Sequence, residues 1–205
     1  MEKKDLPFTI DLKDKVVVIT GAGGVICSCL AKAIALCGAK VALLDYKLEN
    51  AQKFADEINA EGGKAIALQA NVLKKDMLEE CHQEILKQLG PVDILINGAG
   101  GNNPLATTDN EFAELDDDMK SMKTFFNLDV SGFEYVFNLN LIGTLLPTQV
   151  FASDMMGRKD CSILNISSMN AYTPLTKIPA YSGAKAAVSN FTSWLAVHFS
   201  HVGIR

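Results

Sequence analysis

"KVVVITGAGGVICSCLAKAIALCG", from Lys15 to Gly38, runs a β-branched segment into a glycine cluster and then into apolar residues at helical spacing. Val16 to Thr20 read as a strand, the segment from Val25 reads as a helix, and Gly38 stops it. Strand, tight turn and helix in that order open a doubly wound (Rossmann-like) α/β sheet. At the joint, the unsatisfied N–H groups and the dipole of the helix amino end attract phosphate, and glycines let the backbone come close to it. Gly21, Gly23, Gly24, Val25 and Ile26 are therefore the candidate cofactor turn. Two glycine registers fit imperfectly. Read as TGxxxGxG, Val25 and Cys27 replace the second and third glycines; read as TGxxGxxG, only Cys27 departs. A cysteine at the third position predicts slightly wider packing of helix on strand.

The unit recurs along the chain. "KVALLD" (Lys40–Asp45) precedes a helix from about Lys47 to Glu61, and "KAIALQ" (Lys64–Gln69) precedes one from about Lys75 to Leu89. "VDILIN" (Val92–Asn97) leads into a long irregular stretch from Gly98 to about Val130, of the kind that serves as a lid or binding element. A largely apolar helix follows from about Ser131 to Met156, with a kink or break expected at Pro147. "CSILNIS" (Cys161–Ser167) is a fifth strand, and a helix from about Ala180 to His201 closes the series. Strands apolar throughout, rather than alternating, suit a parallel sheet with helices on both faces. There is no repeat and no linker, so residues 1–205 read as one domain.

Composition narrows the function classes. No apolar run approaches the roughly 18 residues that span a bilayer, and "MEKKDLPFTIDLKDK" is charged, broken by Pro7 and without the apolar centre of an export signal. A cytoplasmic protein with no membrane role is expected. A net charge of −5 with two arginines offers no cationic stripe for nucleic acid. The five cysteines show no metal-ligand spacing and read as small buried hydrophobes, and Asp116, Asp117 and Asp118 read as a solvated loop. No metal is expected.

Asp45 ends the second strand 24 residues after Gly21, where a carboxylate can bond an adenosine ribose diol and repel a 2′-phosphate. NAD is favoured over NADP, although Lys47 weakens the preference. Further along, "NISSMNAYTPLTKIPAYSGAK" (Asn165–Lys185) places Tyr181 thirteen residues after Ser168 and Lys185 one helical turn after Tyr181. The two side chains share a helix face about 6 Å apart along the axis. An ammonium beside a phenol stabilises the phenolate and makes a weak acid a usable general acid/base. Ser168, at the carboxyl end of the fifth strand, shares the sheet edge at which such folds hold ligands, and its hydroxyl could hold a substrate oxygen.

Together, "TGAGG", "NGAG" (Asn97–Gly100), "NLNLIGT" with Asn140, "NISS" and "YSGAK" resemble the short-chain dehydrogenase/reductase family over nearly the whole chain. The resemblance implies Tyr181 as acid/base, Lys185 holding the nicotinamide ribose and supporting the phenolate, Ser168 polarising the carbonyl, and Asn140 ordering a water in a proton relay. It also implies cofactor contacts from Asn71, Val72, Asn97, Gly98 and Ala99. Gly98 stands where an Asn is common, and Asn71 where an adenine-contacting Asp is common. The segments "INGAGGNNP", "FNLNLIGTLLPTQVF" and that from Asn165 onward further resemble the branch described as D-mannonate oxidoreductases, or fructuronate reductases. That implies a keto or hydroxy sugar acid as substrate, its carboxylate met by Lys177 or by the amides of Asn102 and Asn103. It implies, too, that the helices carrying Asn140 and Tyr181 pack between subunits of a homodimer or homotetramer, buried core helices being the competing explanation.

"HVGIR" stops where the family's sixth strand would begin, so the 205 residues are expected to belong to a longer polypeptide, with carboxyl-terminal strands missing here and the fifth strand left as an open edge. Two rival functions share these residues: a nucleotide-sugar epimerase or dehydratase using the same Tyr and Lys, and a non-catalytic nucleotide-binding scaffold.

Overall fold

Val16 and Val18 of strand β1 (Val16–Thr20) pack into one hydrophobic layer, while Val17 and Ile19 pack into another. Both faces of the strand are covered, which is why its sequence does not alternate. The structure is a computed structural model that describes residues 3–6 and 10–205; Pro7 lies outside the described residues. The remaining strands are β2 (Lys40–Asp45), β3 (Lys64–Gln69), β4 (Ile94–Asn97) and β5 (Ser162–Asn165). They form a parallel five-stranded sheet in the order β3-β2-β1-β4-β5.

Helices α1 (Val25–Leu36) and α2 (Leu48–Ala60) cover one face through Ala31, Ala51, Ala55 and Ile58. On the other face, α3 (Lys75–Gln88) and α5 (Gly143–Phe151) contribute Leu78, Ile85, Val150 and Phe151. Helices α4 (Val130–Phe137) and α6 (Pro179–His198) pack together beside that second layer. The excursion from Gly98 to Asp129 holds only two short 3₁₀ turns, Pro104–Ala106 and Phe125–Asn127. Within it, Asp117 and Asp118 bond neighbouring turn groups, Asn110 and Ser121 among them.

Several boundaries differ from the sequence expectation. The helix expected to break at Pro147 is interrupted earlier, by a π-helical turn at Asn138–Ile142, and Pro147 sits buried inside α5. The reason lies four residues back. A proline at 147 has no N–H for the carbonyl of residue 143 and its ring crowds it, and Gly143 is where the π turn ends and α5 begins. Helix α6 ends at His198 rather than His201 and starts on Pro179, whose missing N–H would be unpaired there anyway. The cysteines are not uniformly buried: Cys27, Cys81 and Cys161 are, Cys37 is half-buried and Cys29 is exposed. Nor is the outer edge of β5 wholly open. Ile204 pairs in parallel with Cys161, the Arg205 amide donates to the Cys161 carbonyl at 3.1 Å, and the Ile163 amide donates to the Arg205 carbonyl at 2.7 Å. Among the described residues, no helix is long and apolar enough to cross a membrane.

Candidate active site

Strand order reverses between β1 and β4, and the crevice at their carboxyl ends is where a doubly wound sheet binds its ligand. Thr20 and Asn97, the last residues of the two strands, lie side by side in the register. The buried Thr20 hydroxyl accepts hydrogen bonds from the amides of Gly98 at 3.1 Å and Ala99 at 3.2 Å, joining the loops that leave both strands. Its signal in the sequence was slight: a hydroxyl at the end of an otherwise aliphatic strand. Gly21 adopts φ 65° beneath this junction, and a Cβ there would stand 2.9 Å from Ala99. A Cβ at Gly23 would strike Asn50 and the Asp45 carboxylate. The turn is thus a bare-backbone cradle. Helical hydrogen bonding starts only with Ser28 to Gly24, so the amides of Val25, Ile26 and Cys27 fall in the first turn, where no intrahelical acceptor exists. These residues fit a dinucleotide pyrophosphate. The Val25 departure costs little, because its side chain is 88 % exposed.

Asp45 fixes the far side of the turn: one carboxylate oxygen accepts from the Gly23 amide at 2.9 Å and the other from the Lys47 amide at 3.0 Å. Asn71 caps its own loop through Oδ1, which accepts from the Leu73 amide at 3.0 Å, and its Nδ2 makes no hydrogen bond among the described residues. Val72 is buried and packs on Gly143, where a Cβ would come within 2.9 Å of it. Asn97 is turned inward rather than toward the crevice. Its Nδ2 donates to Thr148 and Asn165 at 3.0 and 2.9 Å, and its buried Oδ1 has no hydrogen-bond partner among the described residues. Any cofactor contact from Asn97 falls to its backbone.

Asn140, Lys185 and Gly100 meet at one point. A Cβ on Gly100 would lie 2.6 Å from Asn140 Oδ1 and 3.2 Å from Lys185 Nζ, so only a glycine leaves room for both. Asn140 is fully buried in the π turn, and its Nδ2 donates to the carbonyls of Gly101 and Val136, each at 2.7 Å. Helix α6 supplies Lys185, 5 % exposed, whose ammonium donates to the Ile166 carbonyl at 2.7 Å and lies 5.7 Å from the centre of the Tyr181 ring. Burial lowers the Lys185 pKa from its ordinary value, with the neighbouring Cys27 opposing that shift. The Tyr181 ring packs against Ala106, Val136, Ala180 and Ala184, and its hydroxyl makes no hydrogen bond among the described residues. Ser168 caps the 3₁₀ turn Met169–Ala171, which packs on α6, and its Oγ accepts from the Asn170 amide at 3.2 Å. Ser167 is bound internally, to the Lys185 carbonyl and at 2.6 Å to Ser189.

The residues suggested for a substrate carboxylate are more scattered. Asn102 is exposed and donates to Thr107 at 2.9 Å. Asn103 caps the 3₁₀ turn at Pro104 by accepting from the Leu105 amide at 2.8 Å. The Lys177 carbonyl accepts from the Thr108 amide at 3.0 Å, pinning the excursion to the segment before α6, while its ammonium makes no hydrogen bond or ion pair among the described residues.

A parallel-sheet switch point, a bare glycine turn and a Tyr–Lys pair on one helix meet at one end of a doubly wound α/β domain. A family model described as short chain dehydrogenase matches residues 15–205. An uncharacterized oxidoreductase of Haemophilus influenzae is 62% identical over 195 residues, covering 95% of this chain and 68% of that protein. UxuB, an uncharacterized oxidoreductase of Bacillus subtilis, is 46% identical over 200 residues, 98% of this chain and 71% of its own length. Among solved structures, a candidate D-mannonate oxidoreductase from Haemophilus, crystallised with bound NAD, superposes with a TM-score of 0.93 at 62% identity, covering 95% of this chain and 69% of that one. A short-chain type dehydrogenase/reductase from Mycobacterium marinum gives a TM-score of 0.81 at 27% identity, covering 95% and 71%. The chain belongs to the short-chain dehydrogenase family and is an oxidoreductase of that type.

Proposed function

We propose that this chain carries the active site of an NAD(H)-dependent oxidoreductase that interconverts a ketone and a secondary alcohol on a sugar acid, D-fructuronate and D-mannonate being the pair. The observation that carries it is the convergence of Asn140 and Lys185 on Gly100, beside the Tyr181 ring and at the crevice of the glycine turn. The name of the solved Haemophilus relative supports the substrate class, and its bound NAD supports the cofactor.

In this reading the turn Gly21–Ile26 takes the pyrophosphate, Asp45 the adenosine ribose, and Asn71 and Val72 the adenine side. The carboxylate at Asp45 disfavours a 2′-phosphate, and hence NADP. When bound, the nicotinamide supplies the hydride for reduction or accepts it in oxidation. Tyr181 donates the proton to the carbonyl oxygen during reduction and removes it from the hydroxyl during oxidation. Ser168 holds the same oxygen by a hydrogen bond, Lys185 supports the phenolate and the nicotinamide ribose, and Asn140 orders a water that passes a proton from solvent to Tyr181 after reduction and from Tyr181 to solvent after oxidation. Lys177, Asn102 and Asn103 meet the substrate carboxylate. The protein works in the cytoplasm, and two or four copies associate along α5 and α6.

The test is NADH and NADPH consumption against a panel of uronates and other keto sugars, with Tyr181→Phe in parallel. Loss of the phenol proton is expected to lower turnover by about 10²- to 10⁴-fold while leaving NADH affinity within roughly threefold of the wild type. Turnover unchanged in Tyr181→Phe removes Tyr181 from the chemistry. Binding of NADH without consumption across the panel favours the non-catalytic scaffold, and conversion of a nucleotide sugar without net consumption favours the epimerase.

A further inference from the structure

Cys27 and Gly98 are the two residues at which the cofactor turn and the loop after β4 depart from pattern, and they touch. A Cβ built on Gly98 would lie 2.2 Å from Cys27 Sγ, far inside any real contact. Cys27 is 4 % exposed in the first turn of α1, so its sulfur has little room to swing aside. Gly98 is not held in the left-handed region, so its backbone does not demand a glycine; only the space does. In a dinucleotide turn the third glycine exists to let helix and strand pack closely, and a cysteine there should push α1 outward. The structure shows where the added side chain goes. The added side chain occupies the space that a side chain at position 98 would need, and the Gly98 and Ala99 amides still reach the Thr20 hydroxyl at 3.1 and 3.2 Å.

From this contact we infer that Cys27 and Gly98 are a size-exchanged pair that sets the floor of the cofactor cleft, each acting as a positioning residue for the dinucleotide. The inference rests on the proposed reading of the crevice as an NAD(H) site. Burial chiefly, then the charge of Asp45, raises the Cys27 pKa, while Lys185 opposes them. Cys27 therefore stays a neutral thiol near physiological pH and contributes volume, not charge, beneath the phosphates. The groups that act on it belong to the two ends of the cleft, Asp45 on the ribose side and Lys185 on the catalytic side.

The experiment is a double-mutant cycle read by NADH affinity from fluorescence titration and by the melting temperature of the protein without cofactor. Gly98→Ala is expected to weaken NADH binding about tenfold, the scale of an overpacked site, and to lower the melting temperature. Adding Cys27→Gly to Gly98→Ala should bring affinity back to within roughly threefold of the wild type, short of full recovery because the Thr20 carbonyl also lies 2.9 Å from the new Cβ. A double variant no better than Gly98→Ala overturns the pair. Rescue of melting temperature without rescue of affinity leaves a packing contact and overturns the positioning role. A wild-type chain that binds neither NADH nor NADPH counts instead against the reading of the crevice, and the melting cycle tells the two failures apart.

Discussion

An ammonium held at 5 % exposure carries a standing desolvation cost, and Lys185 carries it beside the Tyr181 ring, where the proposed chemistry uses a fixed cation. Its pKa is lowered from the ordinary 10.5, chiefly by burial. The folded chain thus binds fewer protons than the unfolded chain between the lowered value and 10.5, and stability rises with pH across that window. Relative to Lys185→Met, whose side chain does not titrate, the wild type is expected to gain stability as pH is raised through the window, measured by denaturant midpoints at matched pH. A constant difference would mean that burial does not perturb the lysine. Lys177 is the residue-scale test of the substrate: with a free ammonium beside the segment leading into α6, Lys177→Ala should raise KM for a uronate by about tenfold and leave KM for an uncharged ketone unchanged. Equal effects on both substrates would take Lys177 out of the site.

At the amino ends of the strands, opposite the crevice, one carboxylate ties several elements together. Asp93, immediately before β4, is nearly buried; it accepts from the Val16 amide at 2.9 Å and from Arg158 at 2.6 Å, and pairs with the Lys15 ammonium at 3.5 Å. Arg158 also donates to the carbonyls of Val92 and Asp154, and Asp154 accepts from the Val92 amide and meets His82 of α3, each at 2.9 Å. This network ties together β1, β4, α3 and the 3₁₀ turn after α5, at the end of the sheet away from the crevice. Asp93→Ala leaves the Val16 amide unsatisfied and Arg158 unpaired. It should cost about 2 to 3 kcal/mol, less than a fully buried pair because Arg158 is partly exposed, measured by urea denaturation. NADH affinity should stay unchanged; a large loss of affinity with no loss of stability would mean that the network serves the site directly.

At the scale of the molecule, the two layers around the sheet are closed, yet a groove of about 330 Å³ runs between α5 and α6, lined by Leu145, Met156, Phe191, Trp194 and Leu195. Trp194 stacks on His198 with ring centroids 4.5 Å apart and remains 55 % exposed. An indole presented on an apolar groove suits burial against a second copy, as proposed above. Trp194→Glu is expected to shift the sedimenting species toward monomer while the circular dichroism spectrum stays native. A wild type that is already monomeric at micromolar concentration would remove self-association from the proposal.

The chain's one-dimensional pattern was sufficient for the sheet and its flanking helices, and it named the candidate site residues. Apolar runs of strand length, helical spacing and the glycine turn are local properties, and Ser168, Tyr181 and Lys185 have diagnostic separations along the chain. Other features depend on what lies opposite in space. Pro147 announced a disturbance, but not that the π turn before α5 would bury Asn140 against Gly100 and Gly101. Asn97 read as a cofactor contact, and the fold turns its side chain inward to Thr148 and Asn165, leaving its backbone for that contact. Cys27 and Gly98 stand 71 positions apart and read separately as two defects. Their compensation appears only when α1 and the loop after β4 are brought together, because steric complementarity belongs to a pair of surfaces and is invisible in either residue alone.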